Sequence, residues 1–257
     1  FTVRHGGTNK VWDSQTDTIY TGEVTPLSSG GWVAITPDGN YLITAAGLNN
    51  EHYSYAIDHI NHSISSTPVN YWTLCGDHGV LTSATGGKNY FITFDCFNFP
   101  GMYRVDITLD QTGKTESEQI AANKLLLPLT VNSATTASTN DGHLSAVSKE
   151  GPNQNWVFFD SEAFSGDDPF DSDPTISNWQ PYEQEIIAMN VVTLEVRRYA
   201  HHRSRGLSKS APINYDAQPR IPSSWDGSII LWTSNYNTQL LANNNYADLY
   251  GMAFRGN

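Results

Sequence analysis

The sequence predicts an all-β protein assembled from repeated four-stranded antiparallel units. Three observations carry this expectation: a two-strand hairpin pattern that recurs four times, a strand of alternating apolar and polar residues after each hairpin, and the near absence of helical periodicity. Composition agrees. Aromatic residues make up 12% of the chain, with Tyr and Trp together outnumbering Phe, and such side chains suit half-buried strands better than disorder or a coiled coil.

The hairpins come first. Residues 32–36 meet the turn Pro37-Asp38-Gly39-Asn40 and return over 41–44, with Gly39 supplying the positive φ that a tight turn needs. Residues 79–83 turn at Gly86-Gly87 and return over 90–94. Residues 143–147 turn at Glu150-Gly151-Pro152 and return over 156–159. The last pair, 220–223 and 229–233, turns at Trp225-Asp226-Gly227. These hairpins are expected to form the middle strands of successive units.

After each hairpin comes a strand such as Met102-Tyr103-Arg104-Val105-Asp106-Ile107, whose alternation suits a one-sided edge strand. Its counterparts are 53–58, 185–191 and 248–254, and a further one, 10–14, precedes the first hairpin. The unit recurs at intervals of about 45 to 80 residues, close to the ~40–50 of propeller repeats once insertions are allowed. The expected architecture is therefore one β-propeller domain over 1–257, with four clear blades, a partial one, and insertions at about 109–141 and 160–183. Only 116–124 reads as a short helix. A ring lacking N-terminal blades and a compact five-bladed ring both satisfy the count. The start at Phe1, without an initiator Met, reads as processing or as a piece of a longer chain.

A formal charge of −12 with 14 Lys and Arg repels nucleic acid and anionic membrane, and argues against both as partners. No apolar run approaches the roughly 20 residues of a membrane-spanning helix. Few lysines and abundant Asn, Ser, Thr and Asp point to an exported, extracellular protein. Cys75 and Cys96 are spaced so as to permit a disulfide without requiring one. The triplet Asn61-His62-Ser63 would accept a glycan in a eukaryotic secretory pathway.

In a propeller the first strands converge on one axis, so polar residues just ahead of each hairpin are placed to meet a ligand. Four stretches qualify: Gly76-Asp77-His78-Gly79, Asn140-Asp141-Gly142-His143, His201-His202-Arg203-Ser204-Arg205 and Gln218-Pro219-Arg220. His78, His143, Arg203 and Arg220 are expected to approach a common pocket. A histidine at the start of a first strand has a second use, locking neighbouring blades by bonding to backbone. On a strand His201 and Arg203 share one face, His202 and Ser204 the other.

The stretch His201-His202-Arg203-Ser204-Arg205, with Tyr215-Asp216-Ala217-Gln218-Pro219-Arg220 and Ser224-Trp225-Asp226-Gly227-Ser228, resembles the late blade of secreted bacterial β-propellers related to propeller-fold polysaccharide lyases, ulvan lyases and oligogalacturonate lyase among them. The resemblance covers roughly residues 185–237, with weaker echoes at His78 and His143. It implies a propeller that meets carbohydrate, and more loosely a lyase. In the metal-dependent relatives, histidines before the last Asp-Gly turn and a nearby Gln hold a divalent ion. Arg220 and Pro222 stand in those places here, so Gln218 and one histidine make a poor transition-metal site and no cofactor is expected.

The metal-free chemistry implied by that resemblance has three tasks. The sugar carboxylate is neutralised by Arg203 or Arg220, the adjacent proton is removed by His78, His143 or His201, and the leaving oxygen is protonated by Tyr215. The expected partner is an anionic polysaccharide or oligosaccharide, and self-association is left open. A non-catalytic carbohydrate-binding or surface-assembly propeller is the competing reading, and the seven Trp and thirteen Tyr suit either. The run Asp160, Glu162, Asp167, Asp168, Asp171, Asp173 has the oxygen ligands that calcium favours but matches no defined calcium loop. A solvated acidic loop is the preferred reading of it.

Overall fold

The computed structural model describes residues 1–5, 8–24, 32–45, 51–73, 79–93, 101–127, 142–161, 182, 184–204, 218–235 and 247–254. His78, Tyr215 and both cysteines lie outside the described residues. The chain divides into two compact units, Phe1–Asp77 with Leu81–Ile92 and Tyr103–Leu125, and His78–Val80 with Thr93–Met102 and Leu126–Asn257. Among the described residues no helix is long and apolar enough to cross a membrane.

The fold class is the one expected, all-β with four-stranded antiparallel blades in succession and a single helix among the described residues. The first sheet holds β1 (Thr2–His5), β2 (Thr8–Asp13) and β3 (Thr18–Ile19). The second is the meander β4 (Val33–Ile35), β5 (Tyr41–Ala45), β6 (His52–Asp58) and β7 (Ser63–Ile64), with β8 (Asn70–Trp72) also paired to β6. The third holds β9 (Gly79–Ala84), β10 (Lys88–Thr93), β11 (Met102–Asp106) and β12 (Lys124–Leu127). Before β12 the chain forms α1 (Glu116–Ala122), inside the 116–124 window, started by the capping box that Thr115 makes with Glu118.

The fourth sheet is β13 (Gly142–Ala146), β14 (Trp156–Ser161), β15 (Glu185–Asn190) and β16 (Val196–His201). β17 (Ile229–Ser234) and β18 (Asp248–Ala253) form the fifth, joined by residue Ser223 through a bridge to Ile230. β14 and β15 are buried along their whole length, which is why 185–191 reads as a nearly unbroken apolar run. Val147, Trp156, Phe158, Ile186 and Ala188 of this blade pack with Ile221, Ile230 and Trp232 of the next.

Two assignments shift by one strand. The four hairpins supply the first and second strands of their blades, and the segments 53–58, 102–107 and 185–191, expected as alternating edge strands, are third strands inside the sheet, the last of them buried on both faces. The true outer strands are β7, only two residues long, β12, Lys-Leu-Leu-Leu with its last two residues buried, and the charged β16. Edge strands that face water on one side carry charge against unwanted pairing, and β16, Val-Arg-Arg-Tyr-Ala-His, has that character. A repeated turn leads into them. At the ends of β2, β6, β11 and β15 an Asp or Asn side chain accepts hydrogen bonds from backbone N–H groups two or three residues on, at Asp13, Asp58, Asp106 and Asn190.

Candidate functional site

The polar groups of interest gather at one end of the β13–β16 blade. Antiparallel pairing brings the starts of β13 and β15 and the ends of β14 and β16 to the same edge. The register aligns His143 with Asp160, Asp160 with Ile186, and Glu185 with His201. Gly142 makes the first contact feasible. A Cβ there would sit 2.0 Å from the Asp160 carbonyl oxygen and 3.1 Å from its Oδ1, so only glycine lets the strands approach this closely.

His143 is held from two sides. Its backbone N–H donates to Asp160 Oδ1 at 2.7 Å, and its Nδ1 lies 3.1 Å from the carbonyl oxygen of Pro219 and 3.6 Å from the same carboxylate oxygen. A carbonyl oxygen can only accept, so Nδ1 carries the hydrogen and in the neutral imidazole Nε2 is the basic nitrogen. The side chain retains 26% of its accessible surface, whereas Asp160 retains none. Asp160 therefore belongs to β14 and to this contact, not to an acidic loop.

Gln218, Pro219 and Arg220 form the segment that meets His143. Gln218 is half-buried, its carbonyl accepting from the Thr233 hydroxyl at 2.7 Å, and Arg220 is exposed. At the other side of the blade Glu185, 4% exposed, takes the Arg198 guanidinium on both oxygens and has His201 Nε2 at 3.8 Å. Hydrogen bonding to Glu185 pushes Arg198 above its ordinary range. His202 is fully buried, with Nε2 3.0 Å from the Ser161 carbonyl and Nδ1 accepting from the Ser204 N–H at 3.1 Å. It ties the end of β16 to β14 and is a structural histidine. Arg203 follows, half-buried with φ +57°, as the chain leaves the outer strand.

Of the residues singled out in the sequence, His143 meets the backbone of the segment that carries Gln218 and Arg220, through the Pro219 carbonyl. His201 ends the outer strand at the same end of the blade, roughly 14 Å away across three strand spacings, and Arg203 follows just past it. His78 and Tyr215 lie outside the described residues, as do Glu162, Asp167, Asp168, Asp171 and Asp173 of the acidic run. Sequence reading missed Asp160 as the partner of His143, and Glu185 and Arg198 as a buried-carboxylate pair. The signals were present: a glycine directly before His143, and an acid opening an otherwise apolar strand. Among the described residues no three His, Cys, Asp or Glu side chains converge as metal ligands.

No protein-family model matches the chain, and no curated protein matches it. Solved structures do. TolB from Acinetobacter baumannii aligns over 96% of this chain and 46% of its own, at 15% identity and a TM-score of 0.44. The Swd1 β-propeller domain from Myceliophteria thermophila aligns over 91% and 65%, at 10% identity and 0.48. An oligogalacturonate lyase in complex with manganese aligns over 91% and 55%, at 11% identity and 0.44. The chain spans about half to two thirds of the length of these structures. At such identities and TM-scores the likeness carries no argument about activity, and the functional reading rests on the side chains of this chain.

Proposed function

We propose that this chain is an extracellular, glycan-interacting β-propeller whose site at the start of β13 receives a uronate-bearing polysaccharide and cleaves it by metal-independent β-elimination. The observation that supports the reading is the setting of His143: Nδ1–H is engaged by the Pro219 carbonyl beside Asp160, which makes Nε2 the basic nitrogen of the neutral, partly exposed imidazole. Arg220, next to Pro219 in the chain, is the group for the sugar carboxylate; Arg203, past the outer strand on the far side of the blade, is too distant from His143 to serve the same carbon. In the elimination His143 takes the proton beside the carboxylate. The electron pair becomes the new carbon–carbon double bond, and the bond to the leaving oxygen breaks. Tyr215 is the proposed donor of the proton that oxygen takes up.

The test is incubation with uronate-containing polysaccharides while following absorbance of the unsaturated product. Product formed by the wild type and lost in His143→Ala, with weakened oligosaccharide binding in Arg220→Ala, is the expected result. A chain that binds the oligosaccharide with unchanged affinity in the His143 variant, and never yields unsaturated product, is the non-catalytic binding module instead.

A further inference from the structure

The turns at Gly39 and Gly227 are the same device. In the first, the Thr36 hydroxyl donates to Asp38 Oδ1 at 2.6 Å, Gly39 N–H donates to the Thr36 carbonyl at 2.8 Å, and Asn40 N–H to Asp38 Oδ1 at 3.1 Å. In the second, the Ser224 hydroxyl donates to Asp226 Oδ1 at 2.8 Å, Gly227 N–H to the Ser224 carbonyl at 2.9 Å, and Ser228 N–H to Asp226 Oδ1 at 3.0 Å. The hydroxyls then accept from the Tyr41 and Ile229 N–H groups at 3.1 and 3.0 Å. The glycines adopt φ +79° and +68°.

One position differs in kind. Pro37 occupies it in the first turn and Trp225 in the second, so the turn itself does not call for an indole. Trp225 is 70% exposed, while Trp72, Trp156 and Trp232 are buried. Its backbone is fixed all the same: the carbonyl accepts from Ser148 and Lys149 N–H groups, and the neighbouring Asp226 carbonyl accepts from the Asn153 side chain at 3.0 Å. A large aromatic surface is thus left in water on a rigid mount, against the usual burial of Trp.

We propose that Trp225 is the stacking platform of a carbohydrate site, separate from the one at His143, that takes a neutral pyranose with its C–H face on the indole. The surroundings select this ligand. Ser148 and Lys149, whose N–H groups bond the Trp225 carbonyl, and their chain neighbours Glu150 and, on the other side, Asp226 are exposed, and of that hairpin only Ile229 adds a large exposed apolar side chain. A protein hot spot needs a ring of contacts around its anchor that exclude water. A lone aromatic among polar groups instead matches a ligand with one apolar face and hydroxyls at its rim. Glu150 and Asp226 outnumber Lys149, which favours a neutral sugar over a uronate. The position, beyond the opposite end of β13 from His143, gives a polysaccharide a second hold on the molecule. The inference rests on the glycan reading above but not on His143.

The experiment is titration of 15N-indole-labelled protein with neutral oligosaccharides, alongside electrophoresis in gels containing neutral or uronate-rich polysaccharide. Neutral sugar is expected to shift the Trp225 indole signal. Trp225→Ala should bind roughly tenfold or more weakly, as loss of a principal anchor does, and Trp225→Tyr should recover part of it. His143→Ala should leave this binding intact, so a failed lyase reading and a failed platform are told apart. An indole signal that no neutral sugar moves overturns the proposal, and so does Trp225→Ala migrating like wild type in the neutral gel. A dimer that Trp225→Ala converts to monomer also overturns it, in favour of self-association.

Discussion

At the scale of single residues, the decisive feature is Gly142. Its missing Cβ lets the Asp160 carboxylate reach the His143 N–H, so Gly142→Ala forces a Cβ to within 2.0 Å of a backbone oxygen that cannot swing away. The cost should exceed the ~1–3 kcal/mol of ordinary overpacking, read as a lower midpoint in urea unfolding. Asp160→Asn is milder and more informative: it keeps the shape while replacing the ionisable carboxyl beside Nδ1 by an amide. We expect it to preserve the fold and to alter the pH dependence of any His143 chemistry, which 15N shifts of the imidazole report directly. His143 was legible from the sequence because a histidine opening a first strand is conspicuous. Asp160 was not, because linear proximity grouped it with the acids that follow, whereas antiparallel pairing joins it to a residue seventeen positions earlier.

At the scale of elements, the Asp-Gly hairpins do more than reverse the chain. Asp38 accepts from Thr36 and Asn40 in its own turn, and also from the Asn89 side chain of β10 at 2.7 Å, while its N–H donates to Ser83 of β9 at 3.0 Å. One carboxylate therefore bonds its own turn to the following blade. Asp38→Ala leaves the Asn89 amide and the turn N–H without their acceptor, a loss of about 1–3 kcal/mol for a partly buried network, and thermal unfolding should show it. Asn89→Ala should cost part of the same energy, and the double variant less than the sum of the two. The hairpins were readable because Gly at positive φ and period-two alternation leave a strong local signature. The outer strands were not: β7 is two residues long, and β16 carries adjacent arginines whose pairing with Glu185 and Glu195 appears only once the sheet is assembled.

At the scale of the whole molecule, charge and the turn carboxylates pull in opposite directions as pH falls. A net charge of −12 at pH 7 means that protonation first relieves self-repulsion. Against this, Asp13, Asp58, Asp110 and Glu118 are held below their ordinary range by hydrogen bonds from nearby backbone and side-chain donors. Asp226 is brought down to about 2 by Ser228 and Ser224. In Asp38 burial pushes upward, but the bonds from Thr36, Asn89 and Asn40 outweigh it. For each of these groups the folded pKa is depressed, so the unfolded chain binds more protons between the two values. The stabilisation is fully present above the unfolded pKa near 4 and is lost as pH falls through the folded one. At about 0.15 M salt, repulsion between surface charges is screened beyond ~8 Å while contacts at hydrogen-bond distance persist. Urea midpoints measured there should hold steady down to pH near 5 and then decline toward pH 2, with Asp226→Asn flattening part of the decline. A midpoint that rises continuously as pH falls to 3 at this salt would mean that relief of repulsion dominates, and that the turn carboxylates are too exposed to matter.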